Sequence, residues 1–273
     1  MQFDLISDIH LDFWVEYSRN HLKVNKRLDE FIRNIVPEKP SRTLVIAGDL
    51  GHYNKQNYML LNKLKAHYKY ILIVAGNHDY YLITKSIRNK YRYNSVDRLN
   101  EMKQMVNSLP DVVYLDGNVV QIDGIAFGGA GMWYDFEYGA QKLHKSKDEI
   151  YEHWQSYSND SVLIAGTPRL TESMFQSEAD KLSRIVEASD VIVTHISPDW
   201  AAIPEDRLNH LANSYYYFDG ASYFPQIKDK IWCYGHVHRR EDYINHQCRF
   251  INASLGYPDE NESLPKKIMM VRG

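Results

Sequence analysis

Five short apolar runs in this chain each stop at a polar cluster built from Asp, Asn and His. Phe3–Ser7 runs into Asp8-Ile9-His10, Thr43–Ala47 into Gly48-Asp49, and Tyr70–Ala75 into Gly76-Asn77-His78-Asp79. Further on, Val191–Thr194 runs into His195, and Lys230–Tyr234 into Gly235-His236-Val237-His238. Near-continuous hydrophobicity over such short stretches suits strands covered on both faces. In open α/β sheets, ligands gather outside the carboxyl ends of the strands. Five polar clusters at five such ends are therefore expected to face one site.

Helical patterns separate the early runs. Val24, Leu28, Phe31, Ile32 and Ile35 recur at helical spacing, with Pro37 beyond the end. Asn57–His67, Val96–Leu109 and residues 145–157 and 171–188 also read as helices. Val112–Tyr114, Val119–Ile122 and Ile125–Gly128 read as strands, with Asp116-Gly117 and Asp123-Gly124 as hairpin turns. Ile268–Val271 reads as a closing strand. The order β-α-β-α-β, then a meander, helices and more strands, predicts an α/β fold with a sizeable mixed sheet.

Composition narrows the function. Lys plus Arg number 32 against 35 Asp plus Glu, a formal charge of −3, so no basic excess exists to hold long nucleic acid through its phosphates. Only Cys233 and Cys248 are present, which excludes a disulfide framework and suits a reducing compartment. No run approaches the roughly 20 apolar residues that span a bilayer, and the N-terminal residues lack the pattern of a signal peptide. The expectation is a cytoplasmic protein without a membrane partner.

The clusters carry metal chemistry. Asp8 and His10 lie two apart, which in an extended segment puts both donors on one side, and His236 and His238 repeat that spacing. Two Asp, one Asn and four His, with His78 to spare, exceed what a single ion needs. Carboxylate, amide oxygen and imidazole suit Mn, Fe, Zn or Ni better than a metal that prefers soft thiolates. Two ions bridged by a carboxylate activate a shared water as hydroxide for in-line displacement at phosphorus.

The series Asp-x-His, Gly-Asp, Gly-Asn-His-Asp, His, Gly-His-x-His, running from Asp8 to His238, resembles the signature of the calcineurin-like metallophosphoesterases. The resemblance implies a four-layer sandwich of two mixed β-sheets flanked by helices. It further implies one such domain across residues 1–273, with a helical or loop insertion at about 132–188. By position, Asp8, His10 and His238 would hold one metal and Asn77, His195 and His236 the second, with Asp49 bridging. Manganese is the first expectation for the two divalent ions. The segments Gly128-Gly-Ala-Gly-Met-Trp-Tyr-Asp-Phe136 and Asn252-Ala-Ser-Leu-Gly-Tyr-Pro-Asp-Glu260 resemble a bacterial and phage-type subgroup, although Ala253-Ser-Leu255 stands where that subgroup has Pro-Arg-Gly. The signature also matches class III cyclic nucleotide phosphodiesterases.

The expected activity is hydrolysis of a small phosphodiester such as a cyclic or linear nucleotide. A phosphomonoesterase, including a protein phosphatase, comes second. A non-catalytic interaction module comes third, because such proteins usually lose a ligand or the site histidine and all eight groups are intact here. His78 is expected to protonate the leaving oxygen or orient the phosphate, with Asp79 holding its imidazole. Asn77, His78 and Arg239 are the candidate substrate contacts, and Arg239 with Arg240 could grip a phosphate bidentately. Tyr80, Tyr81, Trp133, Tyr134 and Phe136 read first as packing and second as a stacking surface for a base. Tyr215–Phe218 reads as a loop over the pocket, a strand or a subunit contact. Lys85–Arg98 reads as a basic, helix-like, solvated face.

Overall fold

The apolar runs fold as strands, and alternation within them decides which face meets which layer. In β1 (Gln2–Ile6), Phe3 and Leu5 point one way and Ile6 the other, all fully buried. The computed structural model describes residues 1–18, 20–166, 170–260 and 267–273. After β1 come α1 (Leu11–Trp14), α2 (His21–Ile35), β2 (Thr43–Ile46), α3 (Asn54–Leu64), β3 (Tyr70–Ile73), α4 (Lys85–Lys90), α5 (Ser95–Asn107) and β4 (Val112–Tyr114). The second half holds β5 (Asn118–Ile122), β6 (Ile125–Gly129), α6 (Glu137–Leu143), α7 (Lys147–Tyr157), α8 (Asp160–Leu163), α9 (Leu170–Ile185), β7 (Val191–Val193), β8 (Ile231–Tyr234), β9 (Glu241–Asn245), β10 (Cys248–Asn252) and β11 (Met269–Arg272).

Two mixed sheets result. One has the order β11-β1-β2-β3-β4, parallel except for β11; the other has the order β5-β6-β7-β8-β10-β9, antiparallel only at its edges. Phe3, Leu5, Val45, Leu72 and Val74 from the first sheet meet Phe127, Val193, Cys233 and Ile251 from the second in one apolar layer. The Phe3 and Phe127 rings touch edge to face at 5.5 Å across it. On the outer faces, Ile6, Ile46 and Ile73 pack with residues of α2, α3 and α5, while Ile192, Trp232 and Phe250 pack with Leu182 and Ile185 of α9. Helices, sheet, sheet and helices make the four layers of the expected α/β sandwich.

Helix α2 follows its sequence pattern: Val24, Leu28, Phe31, Ile32 and Ile35 are the buried stripe, and the Asn20 side chain caps the first turn by accepting from Leu22 and Lys23 N–H. Three expectations shift. Helix α3 begins at Asn54 rather than Asn57, because its first turn is buried through polar side chains that carry no hydrophobic periodicity. Asn54, Gln56 and Asn57 donate to the carbonyls of Arg98, Val15 and Gly51. Asp116-Gly117 does not close a hairpin, since β4 and β5 belong to different sheets and the turn carries the chain between them. Asp123-Gly124 does close one, with φ of 52° and 81°.

The Lys85–Arg98 stretch also departs from its reading. Arg92 and Tyr93 sit at φ 51° and 59°, which breaks it into α4 and α5. Arg98 is buried, and its guanidinium donates to the carbonyls of His78 and Gly51. Among the described residues, no helix is long and apolar enough to cross a membrane.

Candidate metal centre and cleft

The strand-end clusters converge, but their backbone is not extended. Asp8, His10, Asp49, His236 and His238 have φ of 50°, 42°, 57°, 70° and 48°. A left-handed backbone is costly for side chains with a Cβ, and it persists where the surroundings over-determine it. Here they do: Asp8 and His10 N–H donate to the carbonyls of Gly48 and Asp49, both at 3.1 Å, and His236 N–H donates to Asp8 Oδ1 at 2.9 Å. The same-side donors of Asp-x-His and His-x-His thus arise from coiled turns rather than from strand alternation. Gly76 makes the approach possible, because a Cβ there would lie 2.1 Å from Asp49 Oδ1.

The donor atoms face one another. His10 Nε2 lies 2.8 Å from His238 Nε2 and 3.7 Å from Asp49 Oδ2, while His195 Nε2 is 3.4 Å from that same oxygen. His238 Nε2 is 3.6 Å from Asp8 Oδ1. Asn77 Oδ1 sits between His195 Nε2 at 3.0 Å and His236 Nδ1 at 3.1 Å. Three of the imidazoles have their opposite nitrogen held by an acceptor. His195 Nδ1 donates to the Ala47 carbonyl, His236 Nε2 to the Tyr215 carbonyl, and His238 Nδ1 to Glu260 Oε2 at 2.6 Å. In the neutral ring that pattern leaves the inward nitrogens of His195, His236 and His238 as lone-pair donors.

Burial, with help from neighbouring imidazoles, pushes His10 down to about 4 and His236 to about 3, so both rings are neutral near pH 7. His195 behaves oppositely: burial disfavours its charge, but the Asp49 carboxylate outweighs burial and lifts it to about 10. Asp49 itself is held well below the usual carboxylate range because His195 and His78 outweigh its burial. Asp8 Oδ2 and His10 Nδ1 are buried without a hydrogen-bond partner, and unsatisfied polar atoms in such a place point to a missing ligand. Asp8, His10 and His238, and likewise Asp8, Asp49 and His195, offer donor atoms within 4.8 Å of one another. This oxygen and nitrogen set fits divalent metal ions.

His78 lies beside this group, its ring centroid 4.4 Å from that of His10. The expected Asp79 partnership is not present. Asp79 accepts instead from the backbone N–H groups of Gly76, Asp49 and Leu50, tying two strand-end turns together. The partner of His78 is His52, whose Nε2 lies 3.0 Å from His78 Nδ1, and His52 Nδ1 is 2.7 Å from Asp12 Oδ2. A carboxylate only accepts, so His52 Nδ1 carries a proton; in the neutral ring Nε2 then accepts from His78 Nδ1. Burial also holds the His78 pKa well below its usual value.

Four further residues complete the site without having been singled out from the sequence. Asp12 and His52 stand two and three residues after a motif, a proximity that is the only local sign of them. Glu260 closes the Gly-Tyr-Pro-Asp-Glu segment, whose Tyr257 stacks on His10 at 4.7 Å. Asp160, at the start of α8, accepts from Asn77 Nδ2 at 2.8 Å, Tyr81 OH at 2.6 Å and Tyr134 OH at 2.8 Å. Nothing around Asp160 in the sequence marks it.

A cleft of about 620 Å³ opens beside the donors, lined by Tyr81, Tyr157, Arg207, Tyr215, Tyr216 and Arg239 among others. Tyr215–Tyr217 thus form part of its wall, and Phe218 is buried beneath. Tyr80, Trp133 and Tyr134 are core residues. Arg239 lines the cleft but pairs with Glu241 and donates to the Ala202 carbonyl. Arg240 is spent on the carbonyls of Ser254 and Lys267, which removes it from a bidentate phosphate grip.

Residues 1–240 match the calcineurin-like phosphoesterase family. Uncharacterized protein L509 of Acanthamoeba polyphaga mimivirus is 24% identical over 234 residues, covering 81% of this chain and 80% of that protein. UPF0046 protein K07C11.7 of Caenorhabditis elegans is 30% identical over 131 residues, covering 46% and 44%. The crystal structure of phosphopantetheinyl hydrolase from Mycobacterium tuberculosis superposes with a TM-score of 0.66 at 17% identity, covering 99% of this chain and 95% of that one. With the signature, the fold and the clustered donors in agreement, the chain belongs to the calcineurin-like phosphoesterases and is a metal-dependent hydrolase of phosphoric ester bonds.

Proposed function

We propose that the chain is a dinuclear phosphodiesterase acting on a small nucleotide-type ester. Asp8, His10 and His238 would hold one ion and Asn77, His195 and His236 the other, with Asp49 between them. Two divalent cations, when bound, supply Lewis acidity and a water activated near neutral pH. Manganese is our assignment for this oxygen and nitrogen donor set, and two buried free thiols suit a reducing compartment.

The observation that carries the diester reading is the state of the cleft's arginines. Arg239 is paired with Glu241, and the carboxylates of Asp206 and Glu260 line the same wall as the cleft's other arginine, Arg207. A monoester dianion asks for more positive charge than a diester monoanion, so this wall favours the diester. Tyr157 and Tyr216 give exposed rings on which a base can stack. Asn77 and His78 border the reacting phosphate. A protonated His78 would pass its Nε2 proton to the leaving oxygen; the chain to His52 and Asp12 holds its ring, and the Asp49 carboxylate favours the charged form against burial.

The test is hydrolysis of bis-p-nitrophenyl phosphate against p-nitrophenyl phosphate with added Mn²⁺, using Asp49→Ala as control. Faster diester cleavage that is absent in the variant is expected. Preference for the monoester would move the chain to the phosphomonoesterases.

A further inference from the structure

An asparagine that serves as an oxygen donor has a problem that a carboxylate lacks. The two ends of its amide have nearly the same shape, and a half-turn of the group would present NH₂ where the oxygen is needed. In this protein the far end of the Asn77 amide meets Asp160, 2.8 Å away. A carboxylate accepts and cannot donate, so the contact selects the NH₂ end and turns Oδ1 toward His195 and His236. Asp160 is 3% exposed and is itself held by the hydroxyls of Tyr81 and Tyr134, the latter accepting from Trp154 Nε1 at 2.7 Å. Tyr134, Trp154 and Asp160 all come from the chain between β6 and β7, whereas Asn77 follows β3 in the other sheet.

We infer that Asp160 is a positioning residue: it fixes the Asn77 amide as an oxygen donor and thereby sets the affinity of one of the two metal positions. A buried carboxylate on the NH₂ group also polarises the amide and makes Oδ1 a better donor, as outer partners do for other metal-binding groups. The segment between β6 and β7 then reaches the Asn77 amide through the Asp160 carboxylate. This inference rests on the two-ion reading above.

The experiment is calorimetric titration of the metal-free protein with Mn²⁺, which reads affinity and stoichiometry without activity. The wild-type chain should take up two equivalents; fewer would overturn the two-ion reading itself. Asp160→Asn should weaken one equivalent by about 10- to 100-fold and leave the other within a few-fold. Asn77→Asp, which sets two carboxylates against each other, should weaken the same equivalent. The swapped pair Asn77→Asp with Asp160→Asn restores a donor facing an acceptor and should regain both equivalents, and it is the deciding measurement if Asp160→Asn alone does not fold. Tyr134→Phe, which leaves the Asp160–Asn77 bond in place, should bind as the wild type does. Two intact equivalents in Asp160→Asn, or a swapped pair that binds no better than Asn77→Asp, would overturn the inference while leaving the two-ion reading standing.

Discussion

His52 Nε2 lies 3.0 Å from His78 Nδ1, so the histidine beside the donor group is oriented by a second histidine rather than by the carboxylate next to it in sequence. Asp12 completes the chain at 2.7 Å from His52 Nδ1. The three residues come from the segments that follow β1, β2 and β3, and together they leave His78 Nε2 as the nitrogen available to a substrate.

If that chain serves the leaving group, His52→Ala retains metal but loses turnover on the order of 10- to 100-fold, part of what general-acid catalysis contributes. The loss is greatest for esters with poor leaving groups and small for nitrophenolate. The rate should therefore depend more steeply on leaving-group pKa across a series of aryl diesters. An unchanged slope would sink the role.

Glu260 orients His238 from a partly exposed position, accepting at 2.6 Å. Glu260→Ala frees the ring to rotate, and affinity for one Mn²⁺ should fall by about tenfold. Calorimetric titration checks this, and an affinity equal to that of the wild type would show that the edge-to-face contact with Tyr257 is enough to hold the ring.

Gly76→Ala places a methyl group against the Asp49 carboxylate and 2.6 Å from the Asp49 backbone nitrogen, which leaves no room for it. Activity should fall to background, with a destabilisation on the order of 2 kcal/mol or more. Thermal melting and Mn²⁺ binding measured together would expose a merely local effect.

Asp135 offers a pH test away from the centre. Burial raises its pKa to about 6, against donations from Asp219 and Glu137 N–H. A carboxyl raised in the fold contributes stability that is present below its unfolded pKa and is lost as pH rises through about 6. Denaturant unfolding of Asp135→Asn should therefore move in the variant's favour between pH 4 and pH 7.5, by on the order of 2 kcal/mol relative to wild type. A difference independent of pH would refute the shift.

The strands ending in Asp8, Asp49, Asn77, His195 and His236 were legible because hydrophobic runs and adjacent polar clusters are local features. So was α2, whose stripe repeats at helical spacing. The start of α3 was not, since Asn54, Gln56 and Asn57 are buried by hydrogen bonds, and no periodicity of apolar residues reports that. The cleft wall at Tyr215–Tyr217 stayed ambiguous in a chain with 21 tyrosines, because composition says nothing of which ring faces solvent.

The sequence by itself determined the α/β class and placed the Asp, Asn and His clusters after the apolar runs, since both depend on residue type and short spacing. Only the tertiary structure decided how those donors are oriented. His52 reaches His78 across 26 positions, Glu260 reaches His238 across 22, and Asp160 reaches Asn77 across 83. Each is a single directional hydrogen bond of about 3 Å, and it exists only once separate turns have been brought together by the packing of the two sheets.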